Sequence, residues 1–400
     1  KIPDLVRRTL KSHTEIRSME LQIQAARHRV PQAASLPDPT FNNTFWPIQQ
    51  QALQTAAGRV GNQMSLNQKV PWAEKRQLQT ALAKKEIEVR ISELNKAKSE
   101  FTKNVKLTCF ELWLSTETIA ILQTTKKGLL DLLPIVESRV RSGGLRSDLL
   151  KARLAVDQID QQIFLAREKE QILRTTLSEL SGVSITELQR GIKMIASEQL
   201  EDELEELYAK AEENNPELIE LSWQQQKSRD QVQLADLQRY PDLQFGLHWG
   251  LVNHNHRVLS KVANGRDMIS FNIGTTLPIW QSKNRSGVRE ARSLAASVTA
   301  KIDSQRSRLL SELRALHISL QSLHQRRKLY ANGILPKTIE MLKLGVADYR
   351  GQRINFDDLT SLYLDQLLIE TEVLRLDAEI ASSGAKLERA LGVLGDKEDL

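Results

Sequence analysis

The sequence predicts a mainly α-helical chain with a small β part, written twice over. Three observations predict it. Long stretches rich in Ala, Leu, Glu, Lys, Arg and Gln suit extended helices. Four short segments switch to an alternation of period two, the mark of strands with one apolar face. The landmarks of the first half return, in order, in the second.

The repetition is read from four phrases. L36PDPTF returns as Y240PDLQF, 204 residues on at the proline. M64SLNQKVPWAEKR returns as F271NIGTTLPIWQSKNR at an offset of 207. L133PIVESRV and L335PKTIEML stand 202 apart, and L177SELSGV and L387ERALGV stand 210 apart. The small changes in offset are short insertions and deletions. Two units follow, residues 1–200 and 201–400.

Each unit opens with a helix of about 30 residues, 2–35 and 204–239, the second broken near its start by N214NPEL. Two strands follow in each, about 38–48 and 60–70, then about 241–252 and 267–278. V60GNQMSLNQKV puts Val60, Met64, Leu66 and Val70 on one face. The third strand carries Leu243, Phe245, Leu247, Trp249 and Leu251 on its odd positions, with Gln244, Gly246, His248 and Gly250 between them. The fourth carries Ile269, Phe271, Ile273 and Leu277. The first, T40FNNTFWPI, alternates poorly and rests mainly on the repeat.

A very long helix comes next, about 73–141 and about 287–348, which at about 1.5 Å per residue reaches on the order of 90–100 Å. Pro134 and Pro336 should kink or break these helices near their far ends. Rods of this length lie side by side, as coiled coils or as the staves of a barrel. Turns at about 141–148 and 344–357 lead into return helices, about 148–181 and 357–392. Gly143, Gly144 and Gly351 suit the tight reversals. Ser147 and Asp148 are residue types that cap helix N-termini.

The four strands have the length a tilted strand needs to cross a hydrocarbon core. Trp46, Trp72, Trp249 and Trp280 fall in or beside them, as an interfacial belt requires. The polar faces are small and uncharged, unlike a sheet face turned to bulk water. Four strands also leave two open edges, which lipid does not tolerate, so closure needs more copies of the chain. Three copies give twelve strands. A soluble pair of hairpins packed on helices is the competing arrangement.

Composition narrows the function. Of the 400 residues 40% are hydrophobic, 26% charged and only 5% aromatic, thin for a compact enzyme. The net charge of +6 is spread among interspersed acids and bases, which argues against a nucleic-acid surface. One cysteine, Cys109, rules out an internal disulfide and a cysteine zinc site; it is expected to be a small buried residue. No run of about 18 apolar residues encodes a membrane helix. The opening KIPDLVRRTL suggests a mature or trimmed chain. None of the seven histidines sits in a metalloenzyme motif, and no nucleophile elbow or phosphate loop appears, so no catalytic residue and no cofactor is assigned. His254 and His256 in N253HNH could hold a soft or borderline metal; a plain polar loop is the simpler reading.

These phrases together resemble the TolC family of outer-membrane efflux channels. LPDP and YPDL resemble the family's strand starts. V70PWAEKR and L277PIWQSKNR resemble its strand-to-helix junctions and come close to a form common in the heavy-metal efflux branch. N214NPEL and R141SGGLRSDLL resemble its second-half opening and its helix tip. The resemblance covers nearly the whole chain. It implies a homotrimer with a twelve-stranded β-barrel in the outer membrane of a Gram-negative bacterium and a long α-barrel extending into the periplasm. The implied partners are outer-membrane lipid, a periplasmic adaptor and an inner-membrane pump of the resistance-nodulation-division type. Many members begin with a lipidated Cys; a lipid anchor has no support at Lys1.

The resemblance also places the site residues. Arg141, Gly143, Leu145, Ser147 and Asp148 in the first tip, with Arg350, Gly351 and Asn355 in the second, would meet the adaptor. The second tip is longer by about eight residues, and either Gly345 or Gly351 could mark its turn. Asp357 and Asp358 fit two readings: acids favoured at a helix N-terminus, or a carboxylate ring that gates the pore. The lipid-facing set would be Leu243, Phe245, Leu247, Trp249, Leu251, Ile269, Phe271 and Ile273. The rival functions are a coiled-coil scaffold without transport and, within the channel class, a type I protein secretion channel.

Overall fold

The structure is a computed structural model that describes residues 2–45, 60–185, 203–252, 254 and 265–393. Trp46, Ile48 and His256 lie outside the described residues. The elements run α1 (Ile2–Ser12), α2 (Thr14–Ala34), β1 (Thr40–Phe45), β2 (Val60–Val70), α3 (Ala73–Arg141) and α4 (Arg146–Ser181). There follow α5 (Leu204–Asn214), α6 (Pro216–Asp236), β3 (Leu243–Val252), β4 (Met268–Thr275), α7 (Gln281–Leu329), α8 (Leu335–Arg350) and α9 (Phe356–Ala390). The fold is mainly α with one four-stranded sheet. No helix among the described residues is long and apolar enough to cross a membrane. Two compact units form, one of Leu21–Ile91 and Glu220–Ile302, the other of Lys1–Glu20, Ser92–Ile219 and Asp303–Leu400.

The first unit holds the sheet. Its strands are all antiparallel in the order β1-β2-β3-β4, so β1 and β4 are its edges. The register aligns Phe41, Leu66, Leu247 and Phe271 in one row across all four strands. Beside them run Asn43, Met64, Trp249 and Ile269, and then Gln68, Phe245 and Ile273. Asn43 and Gln68 are the polar residues in these rows, and the Gln68 amide donates to the Pro37 and Lys69 carbonyls at 2.8 Å. A bulge near Gly61 shifts the register, so Val60 pairs with Val252 while Asn62 pairs with Leu251. β4 closes at Thr275, short of Leu277. Helices α3 and α6 are tied by ion pairs, Lys85 to Asp230 at 2.7 Å and Lys227 to Glu86 at 2.6 Å.

The second unit is helical, with three apolar clusters. One joins Leu129, Leu132 and Val136 of α3 to Ile159 of α4, Tyr349 of α8 and Leu359 of α9. A second gathers Ile2 and Val6 of α1 on Val105 and Cys109 of α3 and Leu177 of α4. Burial pushes the Cys109 thiol up to about 12, so it stays an unreactive apolar group. The third packs Leu309 and Leu313 of α7 against Leu376 and Ile380 of α9.

The turn phrases have visible work. Asn215 is buried; its Oδ1 accepts from the N–H groups of Glu217 and Leu218, and its amide donates to the Ala390 carbonyl at 2.9 Å. It thus starts α6, with Pro216 in the first turn where no N–H is missed. L177SELSGV and L387ERALGV end α4 and α9 on left-handed glycines, Gly182 at φ 64° and Gly392 at φ 73°. Beside the second phrase Arg389 reaches Glu217 at 2.7 Å, Glu100 at 3.3 Å and Glu312 at 3.8 Å.

Several expectations change. The opening helix is interrupted at His13, although His13 N–H still bonds the Thr9 carbonyl at 2.9 Å. Pro134 neither ends nor interrupts α3, which runs on to Arg141 with Leu132 and Val136 buried on either side of it. Pro336 is absorbed differently: Tyr330–Ile334 form a π turn, closed by Leu335 N–H on the Tyr330 carbonyl, and the proline falls in the first turn of α8. α7 begins at Gln281, six residues before Gly287.

Candidate functional site

Two regions carry the residues singled out in the sequence, and each lies within one unit. In the sheet, Phe41, Leu66, Phe245, Leu247, Trp249, Ile269, Phe271 and Ile273 are all exposed, Phe271 to 83%. An exposed apolar patch of this kind marks an interaction surface. Leu243 sits on the same side, opposite Val70 and Thr275. Leu251 shares the side but pairs with Asn62. The opposite face reads Thr40, Asn67, Gly246 and Asn272 in one row and Asn42, Ser65, His248 and Ser270 in the next. A Cβ at Gly246 would stand 2.7 Å from Asn67 Oδ1, so the Asn67 side chain would have to move to admit one.

The strands join the helices through a compact contact. Trp72, just before α3, stacks on Tyr240 at 5.3 Å with the rings 14° apart. Lys75 Nζ donates to Asp242 Oδ1 at 2.9 Å and to the Tyr240 carbonyl at 2.8 Å. Trp72 N–H donates to the same carboxylate at 3.2 Å, and Lys69 lies 3.5 Å away. Burial raises the Asp242 carboxyl, but the Lys75 and Trp72 hydrogen bonds and the two ammonium charges outweigh it and hold the group below its usual range. Trp249 Nε1 donates to Asp267 at 3.0 Å, whereas Trp280 is 70% exposed.

The tips lie in the helical unit. Arg141 ends α3, exposed, 3.9 Å from Glu137. Gly143 takes φ 98°, and Gly144 N–H closes on the Arg139 carbonyl at 2.9 Å. Leu145, not Ser147 or Asp148, stands at the N-cap of α4; those two lie within its first turn. Leu145 is 69% exposed. In the second tip Gly345 is buried inside α8, where a Cβ would collide with Leu362 of α9. The turn falls at Gly351, yet Gly351 keeps φ −79° and Gln352 takes the left-handed conformation at φ 59°. Arg350 closes α8. Asn355 caps α9, its Oδ1 accepting from Asp358 N–H at 2.8 Å.

Around the tips the structure adds residues the sequence did not single out. Asp357 is gripped by Lys151 of α4, Nζ to Oδ2 2.6 Å. That hydrogen bond, with the charges of Asp357 and Asp148, raises the Lys151 ammonium above its usual range against slight desolvation. Asp358 is exposed beside it. Tyr349 is fully buried; Arg139 lies over its ring at 4.4 Å and Phe356 meets it edge-on at 6.1 Å. Among the described residues its hydroxyl makes no hydrogen bond of ordinary geometry, and burial raises it above the ordinary tyrosine range despite the nearby Arg139. Among the described residues no group of three or more His, Cys, Asp or Glu could hold a metal ion; of the two loop histidines only His254 is described.

The outer membrane efflux protein description matches residues 5–183 and 207–338, over three quarters of the chain. The chain belongs to the outer membrane efflux protein family. No curated protein matches it by sequence. Solved structures agree on the fold. The VceC outer membrane protein of Vibrio cholerae superposes with a TM-score of 0.82 at 16% identity, over 98% of this chain and 96% of that one. The CmeC outer membrane channel of Campylobacter jejuni gives 0.82 at 13% identity, over 100% and 87%. The open state of the Neisseria gonorrhoeae MtrE channel gives 0.76 at 14%, over 98% and 89%. This efflux protein is thus an outer-membrane channel, the exit duct of a tripartite efflux system. The scaffold and protein-secretion alternatives are not favoured.

Proposed function

We propose that three copies of this efflux protein close one channel, with the apolar rows of the sheet toward lipid and the Ser, Asn and Gly rows toward a water-filled pore. The observation that carries this is the row Phe41, Leu66, Leu247 and Phe271, apolar and exposed across a sheet whose two edge strands are open. Four strands cannot enclose a pore; twelve can. The helical unit has a matching need. Leu150, Leu154, Phe164, Leu165 and Ile172 leave an exposed apolar stripe along α4, which a neighbouring copy would cover.

In this reading the two halves, 1–200 and 201–400, are structural repeats. The tips, Arg141 to Asp148 and Arg350 to Asn355, meet a periplasmic adaptor, and an inner-membrane pump of the resistance-nodulation-division type supplies the solute. Asp357 and Asp358, repeated by threefold symmetry, form the pore's acidic constriction. The V70PWAEKR phrase favours metal cations as cargo. The test is light scattering of the purified protein with detergent subtracted. A particle of about 136 kDa, three times 45.4 kDa, that aggregates when detergent is withdrawn supports the reading. A detergent-indifferent particle of one or two chains overturns it.

A further inference from the structure

The Trp72–Lys75 and Tyr240–Asp242 contact joins the end of β2 to the start of β3, the two central strands. The sequence contains both halves of this contact a second time. Tyr240-Pro-Asp242 before β3 corresponds to Leu36-Pro-Asp38 before β1. With Ile279 as one inserted residue after the proline, Trp72-Ala-Glu-Lys75 at the start of α3 corresponds to Trp280-Gln-Ser-Lys283 at the start of α7, the helix beginning one residue after the tryptophan in both.

The copies of the two halves do not meet within the chain. Asp38 precedes one edge strand, β1, and Lys283 follows the other, β4. Each is exposed, and no ion pair to either is found among the described residues. The apolar partners are bare as well, Trp280 at 70% and Leu36 at 40% exposure. Their counterparts are used: Lys75 is 5% exposed and Trp72 lies flat on Tyr240. A lysine and a tryptophan thus wait at one edge, and an aspartate and a leucine at the other.

Resting on the trimer proposed above, we infer that these halves complete each other between copies. β4 of one copy pairs antiparallel with β1 of the next. Lys283 of the first then bonds the Asp38 carboxylate and the Leu36 carbonyl of the second, and Trp280 covers Leu36. The direction agrees, because β2 and β3 are antiparallel and pair Val70 with Leu243 immediately beside their own contact. The interface is head-to-tail, with different surfaces on each side, and such an interface closes into a ring only if every copy uses both edges. The occupant of each edge is therefore a second copy of this chain, and each seam carries one such latch.

A water-soluble carbodiimide joins a carboxylate to an amine in direct contact, with no spacer, and so reads the latch. Applied to the detergent-solubilised parent, it should give dimers and trimers that survive denaturing electrophoresis, with Asp38 and Lys283 in the linked peptide. Asp38→Asn should remove that ladder while the internal Lys75–Asp242 link persists as a control. Asp38→Lys and Lys283→Asp should each lower the temperature at which the trimer separates, and the double exchange should restore it. A parent trimer whose cross-links map elsewhere, or a double exchange no better than the single ones, overturns the latch and leaves the trimer standing. A parent that light scattering finds as single chains overturns both.

Discussion

Lys75 and Asp242 lie 167 positions apart in sequence and 2.9 Å apart in space, each with its side chain largely buried. The pair fixes where β3 begins relative to where α3 begins. Removing one partner of a buried pair leaves the other charge desolvated, which costs about 3–5 kcal/mol in comparable cases. Asp242→Ala should therefore lower thermal stability sharply, more than Asp242→Asn, which keeps an acceptor for Trp72 N–H. The pH dependence has a definite sign. The folded carboxyl is held below its unfolded value, about 3.9. Its contribution is complete above that value and disappears as pH falls through the lower folded one. An acid melting series should show the parent losing this increment below about pH 4, and Asp242→Asn losing none there.

That pairing was not legible in the sequence, although its halves were. The phrases YPDL and PWAEKR stood out, but nothing in spacing says that Lys75 turns toward Asp242. β3 was legible because five odd positions in a row are large and apolar. β1 was not, because Asn43 interrupts the face between Phe41 and Phe45. Proline marked a break in one of the two long helices. Pro134 sits inside α3, which continues to Arg141, while Pro336 follows a π turn that separates α7 from α8. Glycine misled at the second tip: Gly351 marks the turn, yet the left-handed residue is its neighbour Gln352. Tyr349 and Lys151 carry no motif, and only packing identifies them.

The Tyr349 hydroxyl is buried with no hydrogen-bond partner among the described residues, while its ring packs on Arg139 and Phe356. The two parts of the side chain should separate on mutation. Tyr349→Phe keeps the ring and removes an unsatisfied polar group, so it should leave stability unchanged or raise it by about 1 kcal/mol. Tyr349→Ala opens a cavity in the tip cluster and should cost about 3–5 kcal/mol. Denaturant titration of the two variants in detergent decides. A Phe variant as damaged as the Ala variant would show that the hydroxyl has a bonding role.

Two left-handed glycines should differ in their tolerance of a methyl group. Gly143 at φ 98° has nothing within 4 Å of a built Cβ, so Gly143→Ala meets only backbone strain, about 1 kcal/mol. Gly392 at φ 73° packs on the Asn214 carbonyl, and a Cβ there would overlap it. Gly392→Ala must also displace the turn that starts α6, adding about 1–3 kcal/mol. Melting temperatures should rank the parent above Gly143→Ala, and Gly143→Ala above Gly392→Ala. The reverse order would show that the LGV turn yields freely.

Lys151 holds Asp357 at the start of α9, while Asp358 stays exposed and gives only its backbone N–H to Asn355. If these acids line the constriction, the Lys151 bond sets how far α9 stands from α4 at the tip. Asp357→Ala with Asp358→Ala should then raise single-channel conductance in a planar bilayer and weaken cation selectivity, because the carboxylates and their restraint go together. Lys151→Met should raise conductance while keeping selectivity, because it frees the acids without removing them. Salt should mimic Lys151→Met in part, since both partners are accessible to screening ions. The pH response follows from the ammonium. Its folded value is raised, so the bond is intact below the ordinary lysine value, about 10.4, and is lost as pH rises through the higher folded one. Conductance of the parent should climb in that alkaline window and that of Lys151→Met should not. Equal conductance in all three proteins at every pH would remove Asp357 and Lys151 from the gate and leave them as a helix-start pair.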